Sequence, residues 1–213
     1  KQILTEKLIE TRYCGNNSKT NLTIVHFSDI HGSADNIQRI LDLGIEYPDY
    51  LDSIVHTGDS VSSYFSNPNP FATVGGNEVL NLIGNHDCWI SGDTWPSPYN
   101  ATAQQTYEKF IAPYIANWDV TSAGTNLCYY YKDYASYGIR IICLDSLHYD
   151  SAQESWLTNA LNGAKTNGYS VIVATHYPPQ SGITPFDCTF TSYGKTIPAV
   201  ETPPSGTQIE RLP

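Results

Sequence analysis

Four apolar runs along this chain each stop at polar residues of the same few kinds. Leu22 to Phe27 runs into Ser28-Asp29-Ile30-His31-Gly32, Ser53 to His56 into Thr57-Gly58-Asp59, Glu78 to Ile83 into Gly84-Asn85-His86-Asp87, and Tyr169 to Thr175 into His176. Short apolar runs bounded by turn residues predict buried strands. Elsewhere the period is helical. Ser33 is placed to cap a helix with Ile37, Ile40 and Leu41 on one face, closed by Gly44 and Pro48. Thr102 and Gln105 form a capping box ahead of Tyr107, Phe110, Ile111 and Tyr114, and Ser151 and Glu154 form another ahead of Trp156, Leu157, Ala160, Leu161 and Ala164. Leu127 to Tyr134 and Ile139 to Leu144, joined across Tyr137-Gly138, predict an antiparallel hairpin rich in tyrosine and β-branched residues.

This alternation of strands and helices predicts an α/β fold. Residues 1–20 are polar and end in the turn cluster Gly15-Asn16-Asn17-Ser18, so they read as an N-terminal extension to one domain over 21–213. Residues 60–78 read as a loop, 88–125 as an insertion bordering a crevice, and the proline-rich 180–213 as mostly loop.

Composition narrows the function. The chain has 213 residues, enough for one sizeable core, and no apolar run long enough to span a membrane. Its net charge of -10, with 11 Lys and Arg against 21 Asp and Glu, leaves no basic stripe for nucleic acid or anionic lipid. A phosphate substrate would therefore need metal ions to receive it. Cys14, Cys88, Cys128, Cys143 and Cys188 form no CxxC pair, and Cys128 and Cys143 lie in apolar runs where a thiol acts as a small hydrophobe. The chain starts at Lys1 and contains no methionine, so the expectation is that translation starts upstream and that an export signal could have been removed. Sequons stand at Asn16, Asn21 and Asn100 and matter only in a secreted eukaryotic protein, so the compartment stays open between the cytoplasm, slightly favoured, and an exported form.

The run endings carry the chemistry. Strand C-terminal ends are where open α/β sheets place ligands. Asp29 and His31, two apart, point the same way on an extended chain, and Asp59, Asn85 and His176 end the other runs. Carboxylate, amide and imidazole together suit Mn, Fe or Zn, and one carboxylate shared by two cations holds them roughly 3.5 to 4 Å apart. Asp59 is the candidate bridge. In Gly84-Asn85-His86-Asp87 the glycine permits a tight turn, the amide can ligate, the imidazole can donate a proton, and the carboxylate can fix its tautomer. His26 and His56, inside strands, read as satisfied core histidines, His148 as a surface-loop residue near Asp145 and Asp150, and Cys88 as filler. No GxSxG nucleophile elbow is present.

In order and kind, Asp29-Ile30-His31, Gly58-Asp59, Gly84-Asn85-His86-Asp87 and Thr175-His176 resemble the motif set of the calcineurin-like metallophosphoesterase superfamily, over roughly residues 22 to 180. The resemblance implies a four-layer αββα sandwich of two mixed sheets flanked by helices. It implies two divalent metal ions, Asp29 and His31 on one, Asn85 and His176 on the other, and Asp59 shared. It implies hydrolysis of a small phosphate ester by a metal-bound hydroxide, with His86 serving the leaving oxygen and Asp87 holding His86. Family members close the metal set with Gly-His-x-His, and no histidine follows His176 here. Three explanations stay open. The motif lies beyond Pro213, or His26, His56 or His148 substitutes, or the chain is a degenerate member that serves as a non-catalytic binding or structural protein.

Overall fold

The computed structural model describes residues 22–33, 35–36, 38–39, 42, 52–66, 79–90, 100–116 and 118–177, and the backbone of 190–192 and 195–197. The N-terminal extension, the apolar face Ile37, Ile40 and Leu41, and most of 180–213 lie outside the described residues. Ser33 does cap a helical start, its hydroxyl accepting from the Asn36 amide at 3.4 Å.

The first three apolar runs form a parallel sheet in the order β1 (Ile24–Phe27), β2 (Ser53–His56), β3 (Val79–Asn81). Its central strand, β2, is buried at all four positions. β2 spans its whole apolar run, β1 begins two residues into its run and ends with it at Phe27, and β3 stops two residues short of Ile83. After β3 the tetrapeptide is not a bare turn: Asn85–Cys88 forms one helical turn, α1, started by Gly84.

The insertion contributes α2 (Ala103–Thr106), a π-helical segment (Tyr107–Ile111) and α3 (Ala112–Ile115). The Thr102–Gln105 capping box forms as expected, and Phe110, Ile111 and Tyr114 are buried. The widened turn has a local cause. Pro113 lacks an N–H for the ladder, and the Ala112 amide bonds five residues back to Tyr107. A two-residue strand, β4 (Thr121–Ser122), follows inside the region read as insertion.

Next come β5 (Tyr130–Tyr134) and β6 (Ile139–Cys143), the expected antiparallel hairpin, turned by Ala135–Tyr137 and by Gly138 at φ 62°. The helix α4 (Ser151–Asn167) then leads to β7 (Ser170–Ala174), which pairs parallel with β6. The cap of α4 is one residue earlier than expected: the Asp150 carboxylate, not Ser151, accepts the Gln153 amide at 2.8 Å. The second sheet has the order β4-β5-β6-β7 and is mixed. A separate hairpin of β8 (Phe190–Ser192) and β9 (Lys195–Ile197) lies in the segment read as mostly loop.

The two sheets share one core. Val55 and Leu80 of the first pack with Tyr130, Ile141 and Cys143 of the second and with Phe110 and Ile111 of the π segment. Asn81 is the polar joint among them. Its carbonyl accepts from the Tyr130 hydroxyl at 2.8 Å, its amide donates to the Phe110 carbonyl at 2.7 Å, and its Oδ1 meets His56 Nδ1 at 2.5 Å. Satisfying these buried groups mutually fixes both sheets against the π segment. Among the described residues no helix is long and apolar enough to cross a membrane.

Candidate metal centre

The loops that leave β1 and β2 run side by side. Asp29 N donates to Gly58 O at 3.1 Å, His31 N to Asp59 O at 3.0 Å and Gly32 N to Ser60 O at 2.9 Å. The backbone bends sharply to do this. Of the four described non-glycine residues at positive φ, three are Asp29, His31 and Asp59, at 57°, 47° and 58°. Left-handed backbone at residues with a Cβ is unfavourable and persists where surrounding structure over-determines it. Here the strain falls on the ligand-type residues.

Gly58 and Gly84 let β2 and β3 close at this point. A Cβ on Gly58, at φ 104°, would lie 2.5 Å from Gly84 N, and one on Gly84 would lie 2.1 Å from Asp59 Oδ1. The tight approach seats Asp59, whose side chain is 4% exposed, with Oδ1 accepting the His86 amide at 2.9 Å. Its Oδ2 is 3.8 Å from His31 Nε2, and its Oδ1 is 3.6 Å from His176 Nε2. Burial raises its pKa, opposed by the neighbouring His176 and the His86 amide. One carboxylate therefore faces both halves of the cluster.

The second half is set by backbone carbonyls. His176 Nδ1 donates to Thr57 O at 2.9 Å, which turns Nε2 toward Asn85 Oδ1, 3.1 Å away, and Asp59 Oδ1, 3.6 Å away. With Nε2 deprotonated, nitrogen and oxygen lone pairs converge there, an arrangement a cation satisfies. On the other side His31 Nε2 is 3.9 Å from Asp29 Oδ1. Asp29, His31, Asp59, Asn85 and His176 thus lie in one cluster. Two groups have ligand atoms all within 4.8 Å of one another: His31, Asp59 and His86, and Asp29, Asp59 and His176.

His86 is held differently from the expectation. Its Nδ1 donates to Ser62 O at 3.0 Å, and its ring packs edge-on against His31 at 4.4 Å and Trp89 at 4.7 Å between centroids. Asp87 turns inward instead. Fully buried, it accepts the amides of Asp59, Gly84 and Val61 at 2.9, 2.8 and 3.2 Å. Burial pushes its pKa up to about 7 against these three hydrogen bonds. Asp87 is therefore the anchor of the Asp59 loop and not the partner of His86. Ser62 and Thr57, which do hold the two histidines, act through carbonyls that every residue type possesses, so their identity carried no signal. Ser62 adds a side-chain contact, Oγ donating to His31 O at 2.9 Å.

The remaining histidines stand apart from both candidate groups. His56 is buried as expected. His26 is exposed and not a core residue, with Nε2 3.0 Å from Thr57 Oγ1, because β1 is only partly covered. His148 is no free surface histidine either, since its ring lies 2.9 Å from the buried Asp145 carboxylate.

A family model described as calcineurin-like phosphoesterase matches residues 22–195. The chain belongs to the calcineurin-like phosphoesterase family. The donor set above fits a divalent metal. Among solved structures the chain is similar to a purple acid phosphatase from yellow lupin (Lupinus luteus) seeds, with 14% identity and a TM-score of 0.44. That match covers 72% of this chain and 30% of the phosphatase chain, so this chain spans less than a third of the phosphatase. Among curated proteins none matches.

Proposed function

We propose that this calcineurin-like phosphoesterase hydrolyses a small phosphate ester at a site for two divalent cations. Asp29 and His31 would hold one, Asn85 and His176 the other, and Asp59 both. The observation that carries this reading is the position of the Asp59 carboxylate, buried and backbone-fixed, with one oxygen 3.8 Å from His31 Nε2 and the other 3.6 Å from His176 Nε2. When bound, the cations supply Lewis acidity, making a water acidic enough to attack phosphorus and neutralising charge on the phosphoryl oxygens. They also explain how a chain of net charge -10 could accept an anion.

The chain's own groups do the rest. The Thr57 carbonyl keeps the proton of His176 on Nδ1 and its lone pair on Nε2. Asp87 holds the amides of Asp59, Gly84 and Val61, so the bridging carboxylate cannot swing away. With Nδ1 committed to Ser62 O, His86 has Nε2 to carry a proton, and in the cationic form it delivers that proton to the departing oxygen.

The test compares metal content and turnover of an aryl phosphate in wild type, Asp59→Asn and His86→Ala after loading with Mn. Wild type is expected to hold about two ions per chain, and Asp59→Asn to lose both metal and activity. His86→Ala is expected to keep its metal while turnover falls by roughly 10²- to 10⁴-fold. Metal loss in His86→Ala would instead make His86 a ligand alongside His31 and Asp59, and turnover in Asp59→Asn would remove the bridge.

A further inference from the structure

Between β6 and α4 lies an aspartate–histidine pair that the proposed reaction does not use. Asp145 is buried, and its Oδ1 accepts the amides of Leu147 and His148, each at 2.9 Å. Its Oδ2 lies 2.9 Å from His148 Nδ1, while Nε2 of the same ring lies 3.2 Å from the Ala101 carbonyl. A carboxylate and a carbonyl both accept, so both ring nitrogens must donate. Only the imidazolium carries two N–H groups.

What the ring holds leads back to the metal centre. The Ala101 amide donates to the Cys88 carbonyl at 2.8 Å, and Cys88 is the last residue of α1, the turn that carries Asn85 and His86. On the other side, Gln153 clamps Asp145 by both backbone groups, Oε1 accepting from its amide and Nε2 donating to its carbonyl, each at 2.9 Å. Asp145 is thus a fixed post and Ala101 the tethered end. The His148 side chain is 23% exposed, so it can exchange its proton with solvent.

We propose that His148 is a positioning residue: as a cation it clasps Ala101 to Asp145 and so braces the α1 turn, and on losing its proton it releases Ala101. The claim stands apart from the phosphoesterase reading, because the clasp is defined by these contacts alone. The Ala101 bond gives way first because it is longer and its acceptor is uncharged. Among the described residues, the charged and titratable groups that act on the pair's surroundings include Cys88, Cys128, Tyr129 and Asp150. Cys88 and Cys128 are pushed up by burial first and by Asp145 second, so neither thiol carries charge. Asp150, at the head of α4, joins Asp145 in raising the pKa of Tyr129, after burial. For His148 itself burial acts downward, but the hydrogen bond and charge of Asp145 and the Ala101 carbonyl outweigh it, and its pKa is raised. A histidine raised in the fold contributes fully below its ordinary value, about 6.5, and loses that contribution as pH rises through its folded value. The clasp is closed in acid and opens toward alkaline pH.

Hydrogen exchange at the Ala101 amide of the full chain, read by NMR and corrected for the intrinsic pH dependence of exchange, tests this from about pH 5.5 to about pH 8.5. His148 imidazole resonances give its titration in the same samples. Protection of Ala101 is expected to fall roughly tenfold as His148 deprotonates, the scale of one charge-assisted hydrogen bond. Asp145→Asn keeps an oxygen for the two amides but removes the charge, so the step should move to lower pH. His148→Phe should show low protection and no step. Protection that stays flat through the His148 titration, a step that survives in His148→Phe, or one that does not move in Asp145→Asn would overturn the clasp. Should His148→Phe fail to fold, the Asp145→Asn shift decides alone.

Discussion

A methyl group on Gly84 has nowhere to go except into Asp59, 2.1 Å from Oδ1 and 2.4 Å from the amide nitrogen. Gly84→Ala should therefore displace the carboxylate that faces both halves of the cluster. Misplacing a functional group by about 1 Å costs roughly 10²-fold, and a loss of Mn affinity on that scale is the expected calorimetric result. Gly58→Ala meets a backbone atom, Gly84 N at 2.5 Å, and sits at φ 104°, so it should lower the urea midpoint as well. An unchanged Mn affinity in Gly84→Ala would mean that Asp59 is not held by this approach. At this scale the ligand-type residues were legible, because Asp29, Asp59, Asn85 and His176 each follow an apolar run and strand ends converge. Their supports were not. Thr57 and Ser62 work through carbonyls, and Asp87 stands beside His86 in sequence while its carboxylate points into the core.

Among the elements, α4 is fastened to β6 and β5 through one buried arginine. Arg140 is 3% exposed, grips Asp133 with two hydrogen bonds at 2.6 and 2.7 Å, and donates to the Ala160 carbonyl of α4 at 2.6 Å. Its guanidinium also lies 3.7 Å from the centre of the Tyr131 ring. Arg140→Met keeps the stem but leaves Asp133 and Ala160 O without their donor. Asp133 is 29% exposed and stays partly solvated, so the cost is mainly the unmet Ala160 carbonyl and the lost charge-assisted bonds, about 1 to 3 kcal/mol, and the urea midpoint should fall with the slope unchanged. A midpoint within error of wild type would show that packing alone seats α4. The apolar stripe of α4 was legible from its spacing, and so was the hairpin of β5 and β6, since local periodicity specifies both. Asp150 displaced Ser151 as the cap because the backbone is still extended there and its carboxylate reaches the Gln153 amide. The π segment escaped because it depends on how the ladder absorbs Pro113, and two- or three-residue strands carry too few positions to show a period.

For the whole molecule, stability against pH is set by buried groups whose charge differs between folded and unfolded chains. His56 is the clearest. It is completely buried, stacked on Phe27 at 4.6 Å, and tied to Asn81, the polar joint between the sheets. Burial lowers its pKa to about 4, with the Asn81 hydrogen bond opposing and the charge of His176 adding. In the unfolded chain it titrates near 6.5. A histidine depressed in the fold gives its stability in full above the unfolded value, and that stability drains as pH falls from about 6.5 toward about 4. The whole span is worth about 3 kcal/mol, a large share of the roughly 5 to 15 kcal/mol that holds a domain together. His148 acts with the opposite sign, because its folded pKa is raised and its clasp closes in acid. Below about pH 6 His148 adds little further change, since it is largely protonated there in both states. His56→Gln retains an N–H for Asn81 Oδ1 and has no proton to gain. Asp87, raised to about 7, gains stability over the same span and opposes His56, so the test is the difference between proteins: from about pH 7 to about pH 4.5 the urea midpoint of His56→Gln should rise relative to that of wild type. Equal changes in the two proteins would place the pH response elsewhere, among the carboxylates of the candidate metal centre.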